Sequence, residues 1–265
     1  MIHPEGFKGF SSNRVESVLN ELPGGSVDLK LADETAHILL NNPSKKNAVT
    51  GAMMLELRRC VTEISKWEGK AVVLSGAGGT FCAGSDLNAV RKFGDPQDGL
   101  HVCMYMQNTL GLLEQLPMVT VAELKGSAFG GGAEMMMACD FRTMDDSAEI
   151  CFVQRRLGLI PGWGSATRLV GLVGRQRALE ILLSARKVCA DDALGMGLVD
   201  CLHHNANEWL NEHLHIREID RNVVENMKRS VSHFEPRSFK HEVELILNVW
   251  GALANRRAVE KLITK

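Results

Sequence analysis

The spacing of apolar and polar positions changes several times along the chain, and each change predicts an element. Residues 1–24 read as a short helical lead that stops at Pro23-Gly24-Gly25. Residues 27–31 and 36–41 alternate apolar with polar on either side of Asp33-Glu34, which predicts a β-hairpin. In residues 51–66, Met53, Met54, Leu57, Val61 and Ile64 recur at helical spacing. Residues 71–74 form a short apolar run of the kind found in buried strands. A long helix is expected over 100–116, a strand over 118–124, a helix over 133–139, and short strands over 141–144 and 150–153.

Strands that alternate with helices imply a largely parallel sheet, hence an α/β chain. Past Gly164 the pattern becomes helical, over 165–185, 190–197, 206–214, 220–231 and 237–262, with a strand signal only at Leu198-Val199-Asp200. The expected division is a core over 1–200 followed by a helical region over 201–265.

Composition narrows the function classes. A chain of 265 residues with 45% hydrophobic and 23% charged residues supports one large core. A net charge of −2 gives no reason to expect nucleic acid or an anionic membrane as partner. No apolar run reaches the roughly 18–20 residues of a membrane span, and the first ten residues show no leader pattern. The seven cysteines are scattered, with no CxxC pair. They predict reduced thiols in a cytosolic setting, and neither a disulfide framework nor a zinc site. The histidines show no ligand spacing, so no metal is expected.

Two glycine elements carry the candidate chemistry. Gly130-Gly131-Gly132 follows a strand-like run and opens an apolar helix that begins Ala133-Glu134. Without Cβ atoms, such a backbone approaches a ligand closely and presents its amides at a helix N-terminus, where negative charge is stabilised. Upstream, Gly84 permits a tight turn, Asp86 suits a helix N-cap, and the Ser85 amide lies between them. Two such amides aimed at one point would form an oxyanion hole. Each cluster alone reads more readily as a tight turn between strand and helix. Neither fits the P-loop or the dinucleotide fingerprint.

Four segments in order make the pattern specific. They are Asn42-Pro-Ser-Lys45-Lys46-Asn47-Ala48, Phe81-Cys-Ala83-Gly84-Ser85-Asp86-Leu87, Lys125-Gly-Ser-Ala-Phe-Gly130-Gly131-Gly-Ala-Glu134, and Leu157-Gly-Leu-Ile-Pro-Gly-Trp163-Gly164. Together they resemble the crotonase (enoyl-CoA hydratase/isomerase) superfamily. The resemblance implies a spiral ββα core with a helical C-terminal trimerisation region, assembled as homotrimers or hexamers. It also implies an acyl-CoA thioester as ligand and no cofactor beyond the CoA of the substrate. Carried over by motif, the amides of Ser85 and Gly131 grip the thioester carbonyl, and the Ala83 carbonyl receives the adenine amino group. Asn47 and Ala48 lie in the first CoA loop, with Lys45 and Lys46 near the phosphates. Gly84, Asp86, Leu87 and Gly130 complete the binding segments. Trp163 is either a wall of the acyl pocket or an aromatic core residue.

The resembled hydratases use two glutamates. Glu134 matches the first, but the second position holds Gln154, and a carboxamide neither takes nor gives a proton at neutral pH. Hydration, and isomerisation that relies on the same acid, are therefore disfavoured. The segments around residues 23–29, 84–90, 104–110 and 130–134 resemble instead the branch that decarboxylates ethylmalonyl-CoA and, less well, methylmalonyl-CoA as metabolite repair. There the oxyanion hole holds the enolate left by departing CO2, Glu134 donates or orients a proton, and Gln154 holds the carboxylate or a water. Another crotonase-type reaction (hydratase, isomerase or thioesterase) and a non-catalytic CoA-binding protein stay as alternatives.

Overall fold

A computed structural model describes residues 12–93 and 95–231. Helix α1 (Ser12–Asn20) leads into the hairpin β1 (Ser26–Ala32) and β2 (Thr35–Asn41), whose register pairs Val27 with Leu40 and Leu31 with Ala36. Asp33 turns between them at φ 49°. Helix α2 (Gly51–Ile64) is capped by the Thr50 hydroxyl, which accepts from the Met53 amide. Strand β3 (Ala71–Gly76) then joins β2 in parallel.

Helix α3 (Leu87–Lys92) begins at Asp86, whose carboxylate accepts from the Asn88 amide as the sequence suggests. Helix α4 (Pro96–Glu114) starts earlier than the apolar spacing predicts. The Asp95 carboxylate caps it by accepting from the Gln97 amide, so its polar first turn is helical too. Strand β4 (Val119–Leu124), the two-residue β5 (Ala128–Phe129), helix α5 (Gly131–Met136), β6 (Phe141–Met144) and β7 (Glu149–Cys151) follow. Helix α5 thus starts two residues earlier than expected, at Gly131, and ends three earlier, at Met136.

The strand predicted over 150–153 ends at Cys151, because Phe152 turns into a 3-10 helix, Val153–Leu157, that carries Gln154. The helix predicted over 165–185 is two. Gly174, at φ 78° and ψ 163°, separates α6 (Ser165–Val173) from α7 (Arg175–Ser184). Strand β8 (Val188–Cys189), helix α8 (Ala190–Gly195) and strand β9 (Cys201–Leu202) come next. The apolar pair Leu198-Val199 is buried but not strand, because both amides donate to the Ala193 carbonyl and close α8. Helices α9 (Ala206–His213) and α10 (Arg221–Ser230) complete the described residues. The helix predicted over 237–262 lies outside them, as do the first eleven residues of the lead.

The main sheet runs β1-β2-β3-β4-β6-β9, parallel except for β1, and a small sheet runs β5-β7-β8. Strand period two divides the main sheet's side chains. Ile38, Leu40, Leu74, Ala122 and Leu124 enter the larger core with α2 and α4, while Val73 and Val121 meet Trp209, Leu210 and Val224 of α9 and α10. Two faces of one sheet are therefore both covered, which is why apolar side chains occur on both sides of its central strands.

Candidate active site

The two glycine elements run side by side. Cys82 bridges Ala128 in parallel, taking the Phe129 amide on its carbonyl (2.8 Å) and donating its own amide to Ser127 (3.1 Å). On the other side Val49 bridges Ser85: the Val49 amide donates to Gly84 and the Asp86 amide donates to Val49. A parallel bridge of this kind leaves the N–H of Ser85 itself pointing away from Val49. Among the described residues neither the Ser85 amide nor the Gly131 amide donates to a protein acceptor.

The two glycine elements pack closely where Gly84 meets Gly131. A Cβ on Gly84, which sits at φ 103°, would stand 3.0 Å from the Phe129 carbonyl and 3.1 Å from the Gly131 nitrogen. Gly130, at φ 52° and ψ −119°, donates its amide to Cys151 and turns the chain into α5. The Gly131 amide is therefore the first of that helix and has no intrahelical acceptor.

Glu134 lies three residues further on, 3% exposed. Its Oε1 accepts from Gln154 Nε2 (2.8 Å) and the Gly162 amide (3.3 Å). Its Oε2 accepts from the Trp163 amide (2.7 Å) and the Ser165 hydroxyl (2.9 Å). Burial pushes the carboxyl above the usual carboxylate range, and these four donors pull against that shift. Gly164, at φ 90°, bends the 162–165 segment so that Ser165 reaches the same carboxylate. Gln107 and Arg168 hold the segment from behind, through the carbonyls of Gly162 and Trp163.

The Trp163 ring is pressed against the backbone of the glycine triplet: a Cβ on Gly131 would fall 2.6 Å from it. The ring therefore packs against Gly131 and is buried, as an aromatic core residue would be. Cys103 Sγ touches Gly162 on the same side, and burial pushes its thiol up to about 11, so it is neutral.

The first loop is built differently from a simple ligand-contact loop. The Asn47 side chain is wholly buried; its amide group donates to the carbonyls of Ala77 and Thr80, and its oxygen accepts from the Asn42 amide. Asn47 thus shapes the loop from within. Lys45 Nζ pairs with Asp86 at 2.7 Å, which keeps its charge beside the Ser85 turn. Lys46 and Leu87 are exposed, Ala48 is half-buried, and the Lys46 carbonyl accepts the Ala83 amide at 2.9 Å. Ser165, Cys103 and the Gly162 amide are absent from the sequence-level site. Nothing in the sequence pattern signalled any of the three. Among the described residues no three His, Cys, Asp or Glu side chains stand together to hold a metal ion.

With this fold and this site, the chain belongs to the enoyl-CoA hydratase/isomerase family, a family of enzymes whose sequence model matches residues 32–258. Within that frame it is 43% identical to the ethylmalonyl-CoA decarboxylase of Bos taurus, over 96% of this chain and 87% of that protein. Identity to the Homo sapiens ethylmalonyl-CoA decarboxylase is 41%, over 96% and 86%. A crystal structure of enoyl-CoA hydratase from Bacillus anthracis superimposes with a TM-score of 0.80 at 27% identity, covering 90% of this chain and 96% of that one. A second, from Thermoplasma volcanium, shares the fold with a TM-score of 0.82 at 24% identity, over 89% and 96%.

Proposed function

We propose that the protein is an acyl-CoA decarboxylase that acts on alkylmalonyl-CoA thioesters, ethylmalonyl-CoA foremost and methylmalonyl-CoA less well, in metabolite repair. The observation that carries this is Gln154, an amide bonded to Glu134 in the position where hydration needs a second carboxyl. Adding water to an enoyl thioester takes one group to activate the water and one to protonate carbon. At the two positions where hydration needs carboxyls this site offers one, Glu134, while the Asp86 carboxylate nearby is paired with Lys45 and caps a helix. The names of relatives at about 40% identity point the same way.

Decarboxylation suits what is present. The thioester oxygen sits between the Ser85 and Gly131 amides, with the α-carboxylate perpendicular to the thioester plane and in a poorly solvated pocket. Loss of CO2 moves charge onto the thioester oxygen, and each donor there is worth about 2.7–4 kcal/mol in the transition state. Trp163 supplies an apolar wall that disfavours the charged carboxylate relative to neutral CO2. The Ala83 carbonyl receives the adenine amino group, Lys45 and Lys46 stand by the phosphates, and no cofactor is needed beyond the CoA of the substrate. We further propose a homotrimer or hexamer working in the cytosol, a setting that suits seven free thiols. No described helix is long and apolar enough to cross a membrane.

The test is direct. Pure protein given ethylmalonyl-CoA or methylmalonyl-CoA releases CO2 and leaves butyryl-CoA or propionyl-CoA, with at most a trace of hydration of crotonyl-CoA. Robust hydration without CO2 release overturns the proposal.

A further inference from the structure

Gln154 and Glu134 pose complementary problems. Gln154 is 8% exposed, and its Oε1 is buried without a hydrogen-bond partner although its Nε2 is bonded to Glu134. Glu134 is saturated. An ionised carboxyl offers about four lone-pair positions, and four donors occupy them: Gln154 Nε2, the Gly162 amide, the Trp163 amide and the Ser165 hydroxyl. A proton finds room on Glu134 only if one of those donors yields. The two backbone amides are donors only. The Ser165 hydroxyl can turn to accept, but that leaves the Gln154 oxygen orphaned. Turning the Gln154 amide over gives a protonated Glu134 its acceptor, the Gln154 oxygen, and places the NH2 in the orphaned position, where it needs an acceptor that the described residues do not supply.

We propose that Gln154 is an amide switch that couples seating of the substrate carboxylate to loading of a proton onto Glu134. In the empty site Nε2 donates to ionised Glu134. When an alkylmalonyl thioester is seated, the amide turns over, Oε1 accepts from protonated Glu134, and Nε2 donates to the substrate carboxylate. This rests on the decarboxylase reading and supplies that reaction with its acid.

The charges around Glu134 favour the coupling. Among the described residues no cation pairs with it; the Arg168 side chain reaches the Trp163 carbonyl and is held by Glu114, and the nearby Cys103 thiol is neutral. Burial already disfavours the ionised form. A second carboxylate in the same enclosed space disfavours it further, since neighbouring like charges resist joint ionisation.

The steps balance. The bond from Cα to the carboxyl carbon breaks with its electron pair left on Cα and spread onto the thioester oxygen, and CO2 departs neutral. With the carboxylate gone, nothing holds the amide turned. The Glu134 proton passes to Cα, forming the C–H bond, and Glu134 returns to its ionised, four-donor state. One proton is taken from solvent at binding and consumed in each turnover.

The experiment is calorimetric titration of the full-length protein in buffers of differing ionisation enthalpy, which counts protons taken up on binding. The probes are 2-sulfobutyryl-CoA, whose sulfonate keeps the charge but cannot leave as CO2, and butyryl-CoA, which lacks it. Near neutral pH the sulfonate is expected to bring about one proton with it and butyryl-CoA none. Affinity for the sulfonate should fall by up to about tenfold per pH unit above neutrality, while that for butyryl-CoA stays flat. Gln154→Met is expected to lose most of the uptake and at least about tenfold in sulfonate affinity, with butyryl-CoA binding kept as the check on folding. Glu134→Gln should abolish uptake. Equal uptake with both ligands, undiminished uptake in Gln154→Met, or failure of the sulfonate to bind overturns the switch. Release of CO2 from ethylmalonyl-CoA without sulfonate-specific uptake sinks the switch alone; uptake without CO2 release sinks the decarboxylase reading.

Discussion

Three consecutive glycines answer to three different constraints. Gly130 takes a backbone conformation that a side chain resists, Gly131 must clear the Trp163 ring, and Gly132 must clear the Cys82 carbonyl, which a Cβ would meet at 2.3 Å. A Gly131→Ala methyl would displace either the ring or the amide. The expected result is about 1–3 kcal/mol of lost stability and a fall of about a hundredfold or more in kcat, measured by urea unfolding and steady-state CO2 release. Adding Trp163→Ala to that variant should recover part of the loss, because the two changes share one contact. Glu134 gives a pH signature. Its pKa is raised in the fold, so its contribution to stability is complete below the ordinary carboxylate value of about 4.3 and is lost as pH rises through the folded value. Urea midpoints of Glu134→Gln relative to the parent should therefore shift in favour of the variant as pH rises from about 4 to about 8. Glu134 itself was legible from its motif, whereas its saturation by residues 154, 162, 163 and 165 was not, because those donors come from another stretch of chain.

Elements were legible where the apolar spacing is regular, whatever their length: the four-residue β6 falls on its expected bounds, while the long stretch over 165–185 is two helices. The hairpin, α2 and β4 fall close to their expected bounds because several apolar positions repeat in each. Strands β5 and β8, with two residues apiece, carry no period at all, yet β5 aligns the Cys82 segment with the glycine triplet. Apolar burial also misleads: Leu198 and Val199 look like a strand because they are buried, but their amides belong to the end of α8. Helix α3 depends on Asp86, which caps it and binds Lys45. Asp86→Ala is expected to cost about 1 kcal/mol and to raise amide hydrogen exchange across residues 87–92 first. Unchanged exchange there would show that the helix holds without its cap.

At the scale of the molecule, the main sheet is joined to its last strand through a buried charge. Arg142 is fully buried, and its Nη2 and backbone amide both reach Asp200 Oδ2 at 2.7 Å, while Nη1 donates to the Cys139 carbonyl. Asp200→Ala would leave that guanidinium without its counter-charge. About 3 kcal/mol of stability should go, or a fall in Tm of roughly 6–12 °C, with little change in the KM of the folded enzyme. On the other face Lys228 of α10 binds both Asp140 and the Met118 carbonyl, tying the helical cover to β4 and to the start of β6.

The sequence by itself determined the α/β class, the family resemblance, the two glycine elements and a glutamine at 154 where the resembled hydratases have a second glutamate, because each rests on local period or on motif spacing. Tertiary structure alone decided that Gly84 packs against Gly131, that the Trp163 ring packs against Gly131, and that Glu134 is held by four donors while the Gln154 oxygen has none. Those facts depend on which distant backbones meet. Hydrogen-bond saturation is a property of the enclosed volume, and no pattern along one chain segment records it.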